Sequence, residues 1–360
     1  MSKKREILYR SILLATSLLF VIGACELFLR LALFSDSFKI PQLRHAWRYA
    51  DASLDDDYWK LSYMFKDKRG ATAAGYRDPR LGWGRKSSAD NPLGIIYNKP
   101  YRIEDFNQPI LFYGDSFVAG VTSDSDRIPQ LLDQLMPDRS VLNFGVSGYG
   151  VGQIYLRYSD TIEKFNQPLA LVGILMDDLN RSILSFRSGP KPYFDHDENG
   201  LILRNSPNNL GVDEYLEKNP PEISSYFLRF VSFQLQCCIP ESTFKWLLGY
   251  DIKHDKKIAI NRLILESIKS KAKTSASAMY TVLFYSGEEI IEAESWNERY
   301  IKDTLVNLGI QYFDTKAYLN NYMKKTGKTI GDLYYDDNGH PNAAGNRIIA
   351  EGLLDWLQSR

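Results

Sequence analysis

Leu169-Ala170-Leu171-Val172-Gly173-Ile174-Leu175 is a run of seven residues without a polar side chain. A strand with one wet face alternates apolar and polar residues. An unbroken run of this kind instead predicts a central parallel strand covered on both faces. Working outward, shorter apolar runs at 110–113, 141–144, 280–284 and 311–314 also read as strands. The stretches at 128–136, 153–165, 257–273, 290–308 and 343–357 read as amphipathic helices. Strands interleaved with helices join by right-handed crossovers. The expected fold is therefore α/β, a three-layer α/β/α sandwich with a five-stranded, mainly parallel sheet of flavodoxin-like type. Its site should lie beyond the carboxyl ends of the strands.

The chain has 360 residues, 44% of them apolar, enough to bury a full core. Lys plus Arg equals Asp plus Glu at 44 each, so no basic excess exists to neutralise phosphates, and nucleic acid is excluded as an expected partner. The three cysteines form neither a disulfide framework nor a zinc spacing, and the adjacent Cys237 and Cys238 read as core thiols rather than a strained vicinal disulfide. No metal or organic cofactor is called for.

Residues 1–35 read as a signal anchor. Lys3, Lys4, Arg5 and Arg10 precede an apolar run from Ser11 to Cys25, which resumes around Glu26 and Arg30. Basic residues stay on the cytoplasmic side, so the rest of the chain is expected outside the cytoplasm. Glu26 and Arg30 are four apart and can pair on one helical face. Ile22-Gly23-Ala24-Cys25 also resembles a lipoprotein cleavage box, and Ala24 could end a cleaved signal peptide; the apolar residues that follow Cys25 argue against both.

Residues 36–108, with Trp47, Trp59 and Trp83, show no sustained period and read as an extended lead-in packing on a catalytic domain at 109–360. Within that domain an insertion at about 181–255 is too long for a plain loop. Tyr193-Phe194 and Leu201-Ile202-Leu203 predict a hairpin turning at Asn199-Gly200. The same segment begins like a calcium loop, but Ser206 stands at the twelfth position, where a bidentate Glu is needed. The aromatic stretch 226–249 reads as helix, either packing on the domain or forming a lid or acyl-binding wall.

Gly114-Asp115-Ser116 directly follows the strand 110–113, which places a hydroxyl at the sheet rim where a helix N-terminus favours developing negative charge. A serine hydroxyl needs a base. Of the four histidines, His340 stands out, because Asp337-Asn338-Gly339-His340-Pro341 follows the fifth strand and precedes the last helix, again at the rim. Asp337 is spaced to orient the ring. The bland alternative is a helix-capping loop that contains a histidine.

Gly114-Asp115-Ser116-Phe117-Val118-Ala119-Gly120, then Asn143-Phe144-Gly145-Val146-Ser147-Gly148-Tyr149-Gly150, then the terminal D-x-x-H together resemble the SGNH/GDSL hydrolase superfamily, in particular its membrane-anchored bacterial envelope members. The resemblance runs from about residue 105 to the end. It implies Ser116 as nucleophile and first oxyanion N–H, Gly148 as a second N–H, and His340 with Asp337 as the rest of a triad. The chain departs from the pattern at the third block. Where the family has G-x-N-D, Asp177 falls on the Asn position, and an ionised carboxylate cannot donate. Either Asp177 is kept protonated by burial beside Asp178, or Asn180 reaches in, or two backbone donors suffice. The expected activity is ester hydrolysis on an acylated envelope glycan or small ester. An O-acyltransferase with the same triad and a non-catalytic glycan-binding protein are the alternatives.

Overall fold

The computed structural model describes residues 3–65, 76–97, 99–204, 210–238, 243, 250–336 and 339–360. The chain divides into two compact units, one comprising 1–72, 186–188 and 211–252, the other 73–185, 189–210 and 253–360. The lead-in and the insertion are thus each shared between the units.

The first unit is built on a helix over Lys3–Phe34, the one helix among the described residues long and apolar enough to cross a membrane. Its last turns bury Leu29 and Leu33 against Ala46, Tyr49, Leu61, Ile223 and Tyr226, and Ala32 is buried beside them in sequence. Glu26 and Arg30 pair as their spacing suggests, at 2.7 Å. Glu26 also reaches the start of the helix Tyr226–Gln234, accepting from Ser225 Oγ at 2.8 Å and Phe227 N–H at 2.9 Å. That helix packs on the N-terminal one; the rest of the stretch to 249 lies largely outside the described residues. Two expectations are corrected here. Cys238 is exposed rather than a core thiol, because the short 3-10 turn Gln236–Cys238 carries the chain past the end of the buried helical face. Trp47 is half-exposed, its ring packed under Arg48 at the surface instead of on a domain core.

The second unit holds the strands β1 (Tyr76–Asp78), β2 (Gly82–Gly84), β3 (Ile110–Tyr113), β4 (Val141–Asn143), β5 (Leu169–Leu175), β6 (Tyr193–Asp197), β7 (Gly200–Arg204), β8 (Ala278–Phe284) and β9 (Tyr312–Asp314). Five of them form one parallel sheet in the order β4-β3-β5-β8-β9, with β5 buried along its whole length at the centre. The order reverses after β4, so β3 and β5 diverge at a switch point, where crevices open above the strand ends. Helices Ile128–Leu135 and Ala343–Gln358 pack together. Helices Val151–Thr161 and Tyr250–Thr274 also meet, through Gly152 and Ile264, and right-handed crossovers put the two groups on opposite faces.

The hairpin forms as β6 and β7, but the register pairs Asp197 with Gly200, so its tip is Glu198-Asn199. The single helix expected at 290–308 is two, Gly287–Ile291 and Trp296–Asn307, because Ser286 and Ser295 each cap a separate start, accepting from the N–H of Glu289 and Glu298 respectively.

Candidate active site

Ser116 opens the short helix Ser116–Ala119, three residues beyond the end of β3. Asp115, fully buried, caps that helix by accepting the Phe117 N–H at 2.9 Å. His340 comes from the loop after Tyr335, held by Tyr335 N–H to its carbonyl at 2.9 Å and by Gly287 N–H to Gly339 C=O at 3.1 Å. Its ring stacks on Phe117, with centroids 4.5 Å apart. Residues 224 positions apart thereby converge, with His340 Nε2 lying 2.8 Å from Ser116 Oγ. Asp115 Oδ2 is a more distant partner of the same hydroxyl at 3.3 Å, so the shorter contact is the one poised to take the proton. Asp337 lies outside the described residues.

The glycine block rises beside the serine. Asn143, fully buried, donates to Val118 C=O at 3.0 Å and accepts the Gly145 N–H at 2.9 Å, tying the end of β4 to the serine helix. A Cβ on Gly145 would stand 2.2 Å from Ala119 N, so only glycine allows this approach. Gly148 has a φ of +81°, a backbone conformation that favours glycine. Each carbonyl flanking Gly148 is fastened: Trp83 Nε1–H donates to Ser147 C=O at 2.9 Å, and Arg181 Nη1 donates to Tyr149 C=O at 3.0 Å. Tyr149 in turn donates its hydroxyl to Trp83 C=O at 2.6 Å.

Arg181 escapes sequence reasoning, yet it joins all three loops. From its buried position, Nη1 reaches Asp115 Oδ2 at 3.1 Å and Asp178 Oδ1 at 2.6 Å, besides Tyr149 C=O. Nε and Nη2 both grip Asp177 Oδ2, at 2.9 and 2.7 Å. Burial and the neighbouring Asp115 push the Asp178 carboxyl well above its ordinary range, against the pull of Arg181. The surrounding carboxylates outweigh burial at Arg181 and hold its guanidinium firmly protonated. Lys191, also buried, donates to the carbonyls of Arg181, Leu184 and Pro192 and so pins the segment that follows. The available signal is spacing: Arg181 lies four residues after Asp177, the separation of a helical ion pair.

This bears on the three readings of Asp177. Its side chain is 45% exposed and ion-paired, which removes the burial that the protonated reading needs. Asn180 donates one amide N–H to Asp177 Oδ1 at 3.2 Å and accepts from the buried Lys257 at 3.0 Å, which holds the side chain against Asp177. Among the described residues no group of His, Cys, Asp and Glu side chains could hold a metal ion.

No protein-family model matches the sequence, and no curated protein matches it. Solved structures do resemble it. A Bacillus subtilis protein shares 13% identity over 72% of this chain, with a TM-score of 0.41, and the chain spans 58% of that protein's length. A member of the lipolytic protein G-D-S-L family from Veillonella parvula shares 12% identity, covering 69% of this chain and 98% of its own, with a TM-score of 0.37. An acetylxylan esterase from Geobacillus stearothermophilus shares 16% identity, covering 69% of this chain and 93% of its own, with a TM-score of 0.38. All three scores are below 0.5, and the functional reading rests on the site itself.

Proposed function

We propose that the second unit is a serine-dependent acyl-ester hydrolase of SGNH/GDSL type, with Ser116 as nucleophile, His340 as general base and Asp337 as the carboxylate that orients it. The single observation carrying this reading is the 2.8 Å contact between His340 Nε2 and Ser116 Oγ at the carboxyl ends of the strands. Ser116 Oγ attacks the ester carbonyl while its proton passes to Nε2. The tetrahedral oxyanion is met by the N–H groups of Ser116 and Gly148. The imidazolium returns the proton to the departing alkoxide, leaving an acyl-enzyme that water resolves by the same steps in reverse. With Asp177 tied to Arg181, the side chain at the family's Asn position offers no donor, and a slow enzyme is expected, since one oxyanion donor is typically worth about 100- to 1,000-fold in turnover.

The N-terminal helix supports a location at the outer side of a membrane, and from that location follows the proposed substrate, an acylated envelope glycan. An aryl acetate tests the chemistry: a burst of phenolate that Ser116→Ala abolishes is the expected result. Retained oligosaccharide binding with no Ser116-dependent release would instead favour the non-catalytic reading. Adding an oligosaccharide acceptor then separates the outcomes, because acyl transfer at the expense of acetate release would make the enzyme an O-acyltransferase.

Trp83 gives a second prediction. The Ser147 C=O and the Gly148 N–H belong to one planar trans peptide, so they point in opposite directions. An indole that fixes the oxygen therefore aims the N–H. Trp83→Phe keeps an aromatic ring at the site but removes the indole donor and part of the buried volume, and it should lower kcat about tenfold with KM unchanged, a loss that one hydrogen bond of about 1.5 kcal/mol allows. Steady-state kinetics check this; an unchanged kcat would release Trp83 from the role.

A further inference from the structure

The helix Tyr226–Gln234 carries its own exposed apolar stripe. Tyr226 faces the core of the first unit, but Leu228 and, seven residues on at the helix C-cap, Leu235 are 53% and 46% exposed. Its one charged residue, Arg229, is turned toward Asp55. Exposed leucines are ordinary when scattered, so the question is what lies at the level of these two.

The N-terminal helix sets that level. At about 1.5 Å per residue, the uncharged run from Ser11 to Cys25 covers roughly 22 Å, about 8 Å short of a hydrocarbon core of about 30 Å. Beyond Cys25 the helix still presents Leu27, Phe28 and Leu31 outward, and Phe28 meets the exposed Phe38 edge-on. These residues supply the missing length. The two charges within it are prepared for that depth. Glu26 Oε1 accepts from Arg30 Nε, and Oε2 accepts from Ser225 Oγ and Phe227 N–H. Arg30 also donates to Ser224 C=O at 3.1 Å and lies over the Tyr226 ring. Polar groups bonded in this way are what the edge of a bilayer tolerates. Because Glu26 binds the first turn of the helix Tyr226–Gln234, that turn sits at the depth of Glu26, inside the boundary that Leu31 marks.

We infer that the helix Tyr226–Gln234 is a second lipid-contacting element, seated at the headgroup and acyl boundary with Leu228 and Leu235 in lipid. This rests on reading the N-terminal helix as membrane-spanning. The segment sets how the first unit meets the bilayer, in the manner of interfacial helices.

The test uses the full chain in phosphatidylcholine and phosphatidylglycerol vesicles containing a diazirine-bearing phosphatidylcholine, followed by irradiation and peptide mapping. Adducts are expected in 11–34 and in 226–235. The exposed double substitution Leu228→Asp/Leu235→Asp should lower the second set about tenfold, leaving the first set and the melting temperature unchanged. Adducts in 11–34 alone would overturn this inference and leave the spanning helix standing. Adducts in neither segment would overturn both.

Discussion

Ser116→Ala and His340→Ala each lower kcat/KM for an aryl ester by roughly 10⁴- to 10⁶-fold, and the double variant is no slower than the worse single one. The reason lies in the 2.8 Å contact between the two side chains. Without the imidazole, the hydroxyl has no acceptor of suitable basicity, and without the hydroxyl the imidazole has no nucleophile to activate, so either loss removes the same step. Both side chains are half-buried at the rim, so melting temperatures should stay within a few degrees of the parent. Kinetics of the three variants check this. Multiplying losses in the double variant would mean that the two residues do not act as a unit.

Arg181→Met lowers both stability and turnover. The guanidinium offsets Asp115, Asp177 and Asp178, of which Asp115 and Asp178 are buried, and removing it leaves buried carboxylates facing one another. Breaking a buried pair from one side costs about 3–5 kcal/mol, which for a unit of this size is roughly a 10 °C fall in melting temperature. At a temperature where the variant is still folded, kcat should fall about 100-fold, because the loops of Asp115, Tyr149 and Asp177 lose their common anchor. KM should change little. Arg181→Lys would recover the charge without the fork that reaches Asp177 through two nitrogens, and only part of the activity should return. Thermal melts with kinetics of both variants decide the matter; an Arg181→Met enzyme with parental kcat would reduce the cluster to a structural role.

The features legible in the sequence are those that local physics fixes. β5 is legible because a strand covered on both faces must be apolar throughout, and its bounds coincide with the run Leu169–Leu175. Ser116 and His340 can be paired from the sequence alone because Gly114-Asp115-Ser116 directly follows a strand and the D-x-x-H motif directly precedes the last helix, although the helix Thr315–Thr326 lies between the fifth sheet strand and His340. The Glu26–Arg30 bridge is legible from a four-residue spacing. What escapes depends on separation along the chain. Arg181 matters because residues 66 and 32 positions away are brought to its guanidinium, and nothing local marks it as more than a helical charge. Trp83 reads as one buried aromatic in an irregular lead-in, yet its indole fixes a carbonyl 64 residues later. The break in the helix near 292–295 is hidden because two Ser caps interrupt an otherwise continuous amphipathic pattern. The sharing of the insertion between two units follows from the contacts of Tyr226 and Ile223 with the N-terminal helix, which no local pattern announces.

Activation of the Ser116 hydroxyl is most directly measured with a fluorophosphonate, which needs no knowledge of the substrate. Labelling of the intact protein followed by peptide mapping should place one covalent adduct on Ser116, formed rapidly in the parent and slowed by several orders of magnitude in His340→Ala. An adduct on another residue, or a Ser116 adduct that forms as fast without the imidazole, would contradict a nucleophile made by that contact.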